Sequence, residues 1–363
     1  MRDLFLSFIL LAFAGIANAQ VVIQGKIVDN DTDLPIADAS VYLDRTTFGT
    51  SSTSQGEFML EAAGIYSGQL IVSANGYECL AYKLDINITS KKMFKLKLVK
   101  RTAAKNVLVL PADVRKQLLS VFETSLLGIT EEADQCRIAN LDAVYFVQGE
   151  DPPITYAYAD TPLIIHNKLL GYEIAYDLVE FSDAHRKGNY FLGYSRYREM
   201  GDKKRWTKRR QLNYHGSSMH FLRSLINRDL YQQGFSLFQA KKAKQAIQPG
   251  KTNFFIVDPS SVEPIEPVNI LFIDAVTNEY YLQFTMPVIV QYAKAPVGAY
   301  YLSSKGFVQG LNDKGFTAYI SLNGGKIGID INGAVEDPSA IEYTGFWNYE
   351  KLANRLPYNY QAN

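Results

Sequence analysis

The chain has 363 residues, 47% of them hydrophobic and 20% charged, and its 37 basic side chains are matched by 37 acidic ones. Such a composition excludes wholesale disorder, a collagen-like repeat and a polytopic membrane protein. Zero net charge removes the global electrostatic pull toward nucleic acid or an anionic membrane. At roughly 150 residues per domain the length predicts two or three units, each able to bury its own core.

Residues 1–19 read as a cleaved export signal: Arg2, an apolar run from Leu4 to Ile16, then the small-x-small site Ala17-Asn18-Ala19. That run is shorter than the roughly twenty residues a spanning helix needs. No cysteine follows the cleavage point to accept a lipid, and no later stretch is apolar enough to span as a helix. The expected location is therefore exported, in the periplasm or associated with the outer membrane, with no transmembrane span after cleavage. Cys79 and Cys136 are the only thiols. An oxidising compartment permits a bridge between them, but two cysteines make no disulfide framework, and two buried small hydrophobes are the preferred reading.

Charge divides the remainder unevenly. Residues 20–100 carry a net −1, residues 101–260 a net +5 and residues 261–363 a net −4. The first segment shows period-two runs at Val21–Val28, Ala39–Leu43, Glu57–Leu60, Gln69–Ser73 and Lys92–Val99, punctuated by Asp29-Asn30-Asp31 and Gly49-Thr50. Short alternating runs at this spacing predict a small β-sandwich over 20–100.

The residues Gly25-Lys26-Ile27-Val28-Asp29, Pro35-Ile36 with Ala39 and Val41, Gly49-Thr50, Gly56-Glu57-Phe58 with Leu60, and Ser73 with Gly76-Tyr77 resemble the carboxypeptidase regulatory-like domain of Bacteroidota envelope proteins. The resemblance implies an Ig/transthyretin-like β-sandwich, with one departure at Ser54 where the family has Asp. It implies scaffolding or binding and not peptide hydrolysis. None of the histidines, His166, His185, His215 and His220, has an acid three positions on, and HExxH is absent, so no zinc-ligand set is expected and no metal or other cofactor is assigned.

From residue 101 the period changes. After an apolar run at Asn106–Leu110, Pro111 and Gly128 bracket a predicted helix with Val114, Leu118, Leu119, Phe122 and Leu126 on one stripe. Thr130 before Glu131 and Glu132 predicts a second helix start. Strands are predicted at 141–147, 155–159, 163–165, 172–181 and 189–197, then helices at 203–214 and 217–231 separated by Gly216. The expected middle unit runs from 101 to 255, a mixed α+β domain with a basic helical segment. The segment 256–363 reads as a β-rich C-terminal portion, with strands at 254–257, 269–273, 280–285, 288–292, 300–302, 317–322 and 326–331 and a last helix at 348–355. The fold class is thus mixed α+β and β-rich. Residues 20–240 also resemble longer Bacteroidota proteins containing the same domain, most distinctively through Trp206, Arg210, Tyr214, Gly216-Ser217, His220-Phe221-Leu222-Arg223 and Gly234-Phe235. That resemblance implies fold and location and leaves activity open.

Two candidate sites follow. Between His185 and Leu212, Arg186, Lys187, Arg196, Arg198, Lys203, Lys204, Arg205, Lys208, Arg209 and Arg210 face only Glu199 and Asp202. Trp206, Arg210 and Tyr214 recur every four residues, so a guanidinium can lie on an aromatic face. With Arg209 and Arg223 they form the expected binding surface, for an envelope protein or a glycan; the alternative is interdomain packing with paired charges. The base-stacking groove of a nucleic-acid binder is lacking. Tyr156, Tyr158, Tyr280, Tyr281, Tyr300 and Tyr301 in predicted strands offer stacking faces for sugars or ordinary sheet packing. The catalytic alternative is Ser217 with His220, three apart on a helix, as a hydrolase pair. No Gly-x-Ser-x-Gly elbow surrounds Ser217, which is also an ordinary helix N-cap. The expectation is a noncatalytic binding or structural protein.

Overall fold

The computed structural model describes residues 20–63, 68–84, 93–102, 104, 106–149, 154–183, 189–240, 243–246, 254–257, 262–294 and 315–362. Residues 1–19, read as an export signal, and His185, Arg186, Lys187, Tyr300 and Tyr301 lie outside the described residues.

The first unit is a β-sandwich. Its first sheet has the order Glu57–Ala63, Gln20–Asp29, Met93–Leu98, and its second the order Gly49–Ser51, Ser40–Leu43, Gln69–Ser73, Leu80–Lys83. Strict alternation in Glu57–Ala63 and Met93–Leu98 turns Phe58, Leu60, Phe94 and Leu96 inward against Val41, Leu70 and Val72 of the facing sheet. Gln20–Asp29 runs antiparallel to one neighbour and parallel to the other, with Gly25 opposite both Phe58 and Phe94.

The middle sheet is built around the long strand Tyr172–Asp183. Asn189–Glu199 pairs along one side of it, and Leu163–Asn167 and Thr155–Ala159 share the other. Helix α1 (Ala112–Leu127) lies on this sheet through Phe122, Leu126 and Leu127, with Phe122 edge-on to Phe181 at 5.1 Å. It follows Pro111 and ends at Gly128, as the sequence predicts. Helix α2 (Glu131–Asp134) begins at Thr130, whose side chain accepts from the Ala133 N–H. The run Asn106–Leu110 forms no full strand and touches Val144–Gln148 through a single bridge, Val107 to Val147, and the Leu108 N–H to the Phe146 carbonyl.

The third unit has a five-stranded sheet ordered Val262–Pro264, Phe235–Ala240, Val288–Tyr292, Phe316–Leu322, Ile341–Gly345, and a three-stranded one of Leu271–Ile273, Tyr280–Leu282 and Ile327–Ile329. Here the grouping differs from the boundary expected at residue 255. Helix α3 (Thr207–Tyr214) stays with the middle unit, but helix α4 (Ser218–Ile226) puts Phe221, Leu222, Leu225 and Ile226 into the C-terminal core, and Phe235 and Leu237 follow them. The core changes hands at Gly216, whose φ of 85° only glycine adopts freely and whose Cβ would collide with Tyr292 and Phe316. The predicted helix 217–231 stops at Ile226 and resumes as α5 (Leu230–Gln233). The predicted helix 348–355 is two 3₁₀ turns, Phe346–Tyr349 and Leu352–Asn354.

The C-terminal tail stitches the units together. Leu352, Ala353 and Leu356 return to the middle core. Asn354 is bonded by Thr130 and donates to Glu132, and the Ala353 carbonyl accepts from Asn167. Sandwich and middle sheet meet along the edge strand Asn189–Glu199: the Arg45 N–H donates to the Ser195 carbonyl and the Tyr197 N–H to the Thr46 carbonyl.

Candidate functional site

Within the basic helical segment, expected to present a binding surface, Lys203, Lys204, Arg205 and Lys208 are exposed, whereas Trp206 and Arg210 are interior. Trp206 is buried on Gly171, where a Cβ would collide with the indole, and its Nε1 donates to the Lys168 carbonyl at 3.0 Å. Arg210 is 3% exposed and lies 3.9 Å over the Tyr172 ring. Its guanidinium forks onto Glu199 at 2.7 and 3.0 Å and onto the Leu170 and Gly171 carbonyls. Tyr214 and Arg223 are buried too, Arg223 donating to the carbonyls of Asn332, Tyr358 and Tyr360. Arg209, the most open of the five, pairs with Glu131 and Glu132. The four-residue spacing was right about contact and wrong about exposure. Trp206 and Arg210 are spent within the middle unit, and Arg223 is spent on the third unit and the tail.

Ser217 caps α4, its hydroxyl accepting from the His220 N–H at 3.1 Å. The His220 ring turns elsewhere. Nδ1 accepts from the Gly216 N–H at 3.0 Å, which assigns the proton to Nε2, 3.2 Å from Gln233 Oε1. Asp229 reaches this imidazole only through Gln233. Burial pushes His220 down to about 4, so it is neutral. Its single acceptor lone pair is spent on a backbone N–H, and it makes no hydrogen bond to the Ser217 hydroxyl.

A different place collects uncommitted chemistry. Where the three units meet, adjoining cavities of about 410, 260 and 150 Å³ share Arg45, Tyr190, Pro338 and Ser339 in their walls. Arg45 comes from the sandwich, Tyr190 from the middle sheet, and Pro338 and Ser339 from the third unit. The largest cavity also takes Ser217 and Ser218 from the start of α4 and Glu350, Lys351 and Arg355 from the tail.

Arg45 is the hub. It holds a positive φ of 55°, an uncommon conformation for a side-chain-bearing residue, while its N–H binds Ser195 and its carbonyl accepts from the Tyr358 N–H at 2.7 Å. Its guanidinium donates to the Tyr358 hydroxyl at 2.9 Å and stands 3.6 Å from Asp44. Glu350 is spent on α4: it accepts from the Ser218 hydroxyl at 2.8 Å and the Ser218 N–H at 3.2 and 3.3 Å. Burial raises its carboxyl to about 7. Lys351 is brought down to about 8 by burial and then by Arg355, and Arg355 is itself lowered by burial and by Arg45. Neither the Lys351 ammonium nor the Arg355 guanidinium has a hydrogen bond or ion pair to any described residue; Lys351 has only the Phe191 ring, 5.9 Å away. Sequence reasoning missed this cluster because Arg45 and Arg355 lie 310 positions apart. The one available signal was the Glu350-Lys351 and Arg355 charge set inside an otherwise uncharged tail.

Among the described residues no group of three or more His, Cys, Asp or Glu could hold a metal ion. Cys79 and Cys136 are both free thiols, half-buried, and burial raises Cys136 to about 12. Tyr156 and Tyr158 stack at 6.4 Å beside Tyr145, half-buried on the middle sheet. No helix among the described residues is long and apolar enough to cross a membrane.

Comparison with solved structures gives a protein of unknown function from Bacteroides fragilis NCTC 9343, provisionally described as membrane-associated. It is 18% identical, with a TM-score of 0.18, over 44% of this chain and 64% of that one. No curated protein matches the chain. The family comparison is specific to the N-terminal unit and agrees with its two-sheet topology: residues 23–110 carry a CarboxypepD_reg-like domain.

Proposed function

We propose that the protein is an exported, noncatalytic binding module of the cell envelope, periplasmic or outer-membrane-associated, which holds a glycan or another envelope protein in the cleft where its three units meet. The observation that carries this reading is the pair of uncommitted cations, Lys351 and Arg355, in the wall of a 410 Å³ cavity. Cavities of roughly 300–1,000 Å³ suit small-molecule or terminal-residue ligands, and unpaired charge in a half-buried place is costly unless something comes to pair it. A CarboxypepD_reg-like domain fits an accessory role. The export pattern of residues 1–19 supports the compartment. Nucleic acid has no place in this reading, since the net charge is zero and the basic run offers no base-stacking groove.

The rival, a hydrolase using Ser217 and His220, needs an imidazole free to take the serine proton. Screening the mature chain against ester, peptide and glycoside substrates, with Ser217→Ala as control, separates the two. The expected outcome is no turnover that Ser217→Ala removes, together with envelope-glycan binding that Tyr190→Ala in the cleft wall weakens. Serine-dependent turnover would overturn the noncatalytic reading.

A further inference from the structure

We propose, building on the cleft-binding reading, that the junction cavity is an acidic-sugar site, in which the carboxylate of a hexuronate-type residue is received by the Arg355 guanidinium with Lys351 as the second cation.

Charge comes first. Three cations, Arg45, Lys351 and Arg355, line the 410 Å³ cavity against two carboxylates, Glu342 and Glu350. Arg45 is satisfied by Tyr358 and Asp44, and Glu350 is turned onto Ser218. Arg355 is left without a protein acceptor. A guanidinium offers a planar fork that matches a carboxylate with two parallel hydrogen bonds, whereas an ammonium adds a point charge. The open fork on Arg355 therefore suits a carboxylate, and Lys351, one 3₁₀ turn away across Leu352–Asn354, supports it.

The remaining wall indicates what carries the carboxylate. Asn348, the Asn323 side-chain oxygen, the acceptor side of the Ser339 hydroxyl and the exposed edge of Tyr190 supply amide, hydroxyl and aromatic groups, while Asn213 is spent on Glu132, Arg209 and Asn354. Such a set suits a hydroxyl-rich ring, with amides for the hydroxyls and a tyrosine face for the C–H side. An acidic peptide presents few hydroxyls to these amides. The site is assembled from all three units, so it exists only when they are docked. Arg45 and Tyr358, bonded backbone to backbone and side chain to side chain, close the wall between sandwich and tail.

Ligand-observed NMR titration of the mature chain at low salt and near-neutral pH tests this, with glucuronate, glucose and an acidic peptide as probes. Glucuronate and glucose differ at the one carbon that bears the carboxylate. The expected result is glucuronate binding that weakens with salt and exceeds glucose binding about tenfold or more, as a charge-assisted pair requires. Arg355→Met is expected to remove that preference while changing the thermal midpoint little, since Arg355 has no hydrogen bond to lose and only the charge attraction of Glu350 and Asp44. Lys351→Met is expected to weaken glucuronate by a smaller factor. Glucose binding as tightly as glucuronate, with both lost in Tyr190→Ala, would overturn the acidic-sugar assignment and keep the cleft-binding reading. Binding of the peptide in preference to either sugar would overturn the sugar class alone. Binding of none of the three would remove both, and a large drop in stability for Arg355→Met would show the arginine to be structural and the proposal wrong.

Discussion

The Tyr42 hydroxyl donates to the Asp177 carboxylate at 2.5 Å, joining the inner strand of the sandwich to the central strand of the middle sheet. Ser73 donates to the other oxygen of the same carboxylate. Both Tyr42 and Asp177 are buried, and burial raises each of them from its ordinary value. The contact joins other polar links across this boundary, among them Ser195 N–H to Asp44 and Arg196 to Ser40, but removing the tyrosine hydroxyl leaves the buried carboxylate one donor short. Tyr42→Phe is therefore expected to cost about 1.5–3 kcal/mol. Urea denaturation measures it, and an unchanged midpoint would mean that the two units are held by their backbone pairing alone.

Glu350 sets a pH dependence. Its folded carboxyl, at about 7, lies above the ordinary 4.5. The native state thus holds the proton more tightly than the unfolded chain. The stabilisation is complete below about 4.5 and is lost as pH rises through about 7. The whole excursion amounts to at most about 3 kcal/mol. Melting temperatures across this window should fall with pH in the parent protein and stay flatter in Glu350→Gln, which keeps an acceptor for Ser218. Equal slopes for the two proteins would exclude Glu350 as the titrating group.

Arg210 is expected to be structural and not ligand-binding. Arg210→Met leaves Glu199 and the carbonyls of Leu170 and Gly171 without their donor. A loss of about 3–5 kcal/mol is expected, as for other broken buried pairs. Arg210→Lys should recover little of it, because one ammonium cannot reproduce the fork over Tyr172. Thermal unfolding reads the difference. A fully stable Arg210→Met that had lost a ligand would restore the helical surface as the binding site.

Cys79 and Cys136 sit in different units, each half-buried and unbridged. Thiol titration of the denatured, unreduced chain should find both. In the native protein Cys136 should react slowly with alkylating reagents, since burial keeps its thiol protonated. A mass two hydrogens short of the dithiol, or one reactive thiol in place of two, would contradict this.

The local alphabet of the fold was legible in the chain. Period-two alternation marked Glu57–Leu60 and Lys92–Val99 as strands of a sandwich, and Pro111 and Gly128 marked the ends of α1, because such signals act over a few residues and depend on backbone geometry that neighbours hardly alter. Ser217 was correctly legible as a cap for the same reason. What the sequence could not supply was partnership at long range. Trp206, Arg210 and Tyr214 read as an exposed stripe until Gly171, Glu199 and Tyr172 closed over them, and helix α4 read as part of the middle unit until its apolar face met Phe235. Arg45 and Arg355 are unremarkable in sequence, and only the folding back of the tail brings them to one cavity. Residue type and spacing decide which surfaces each element has; which of those surfaces remain wet is decided by the docking of elements hundreds of residues apart, and burial of charge is a property of that docking.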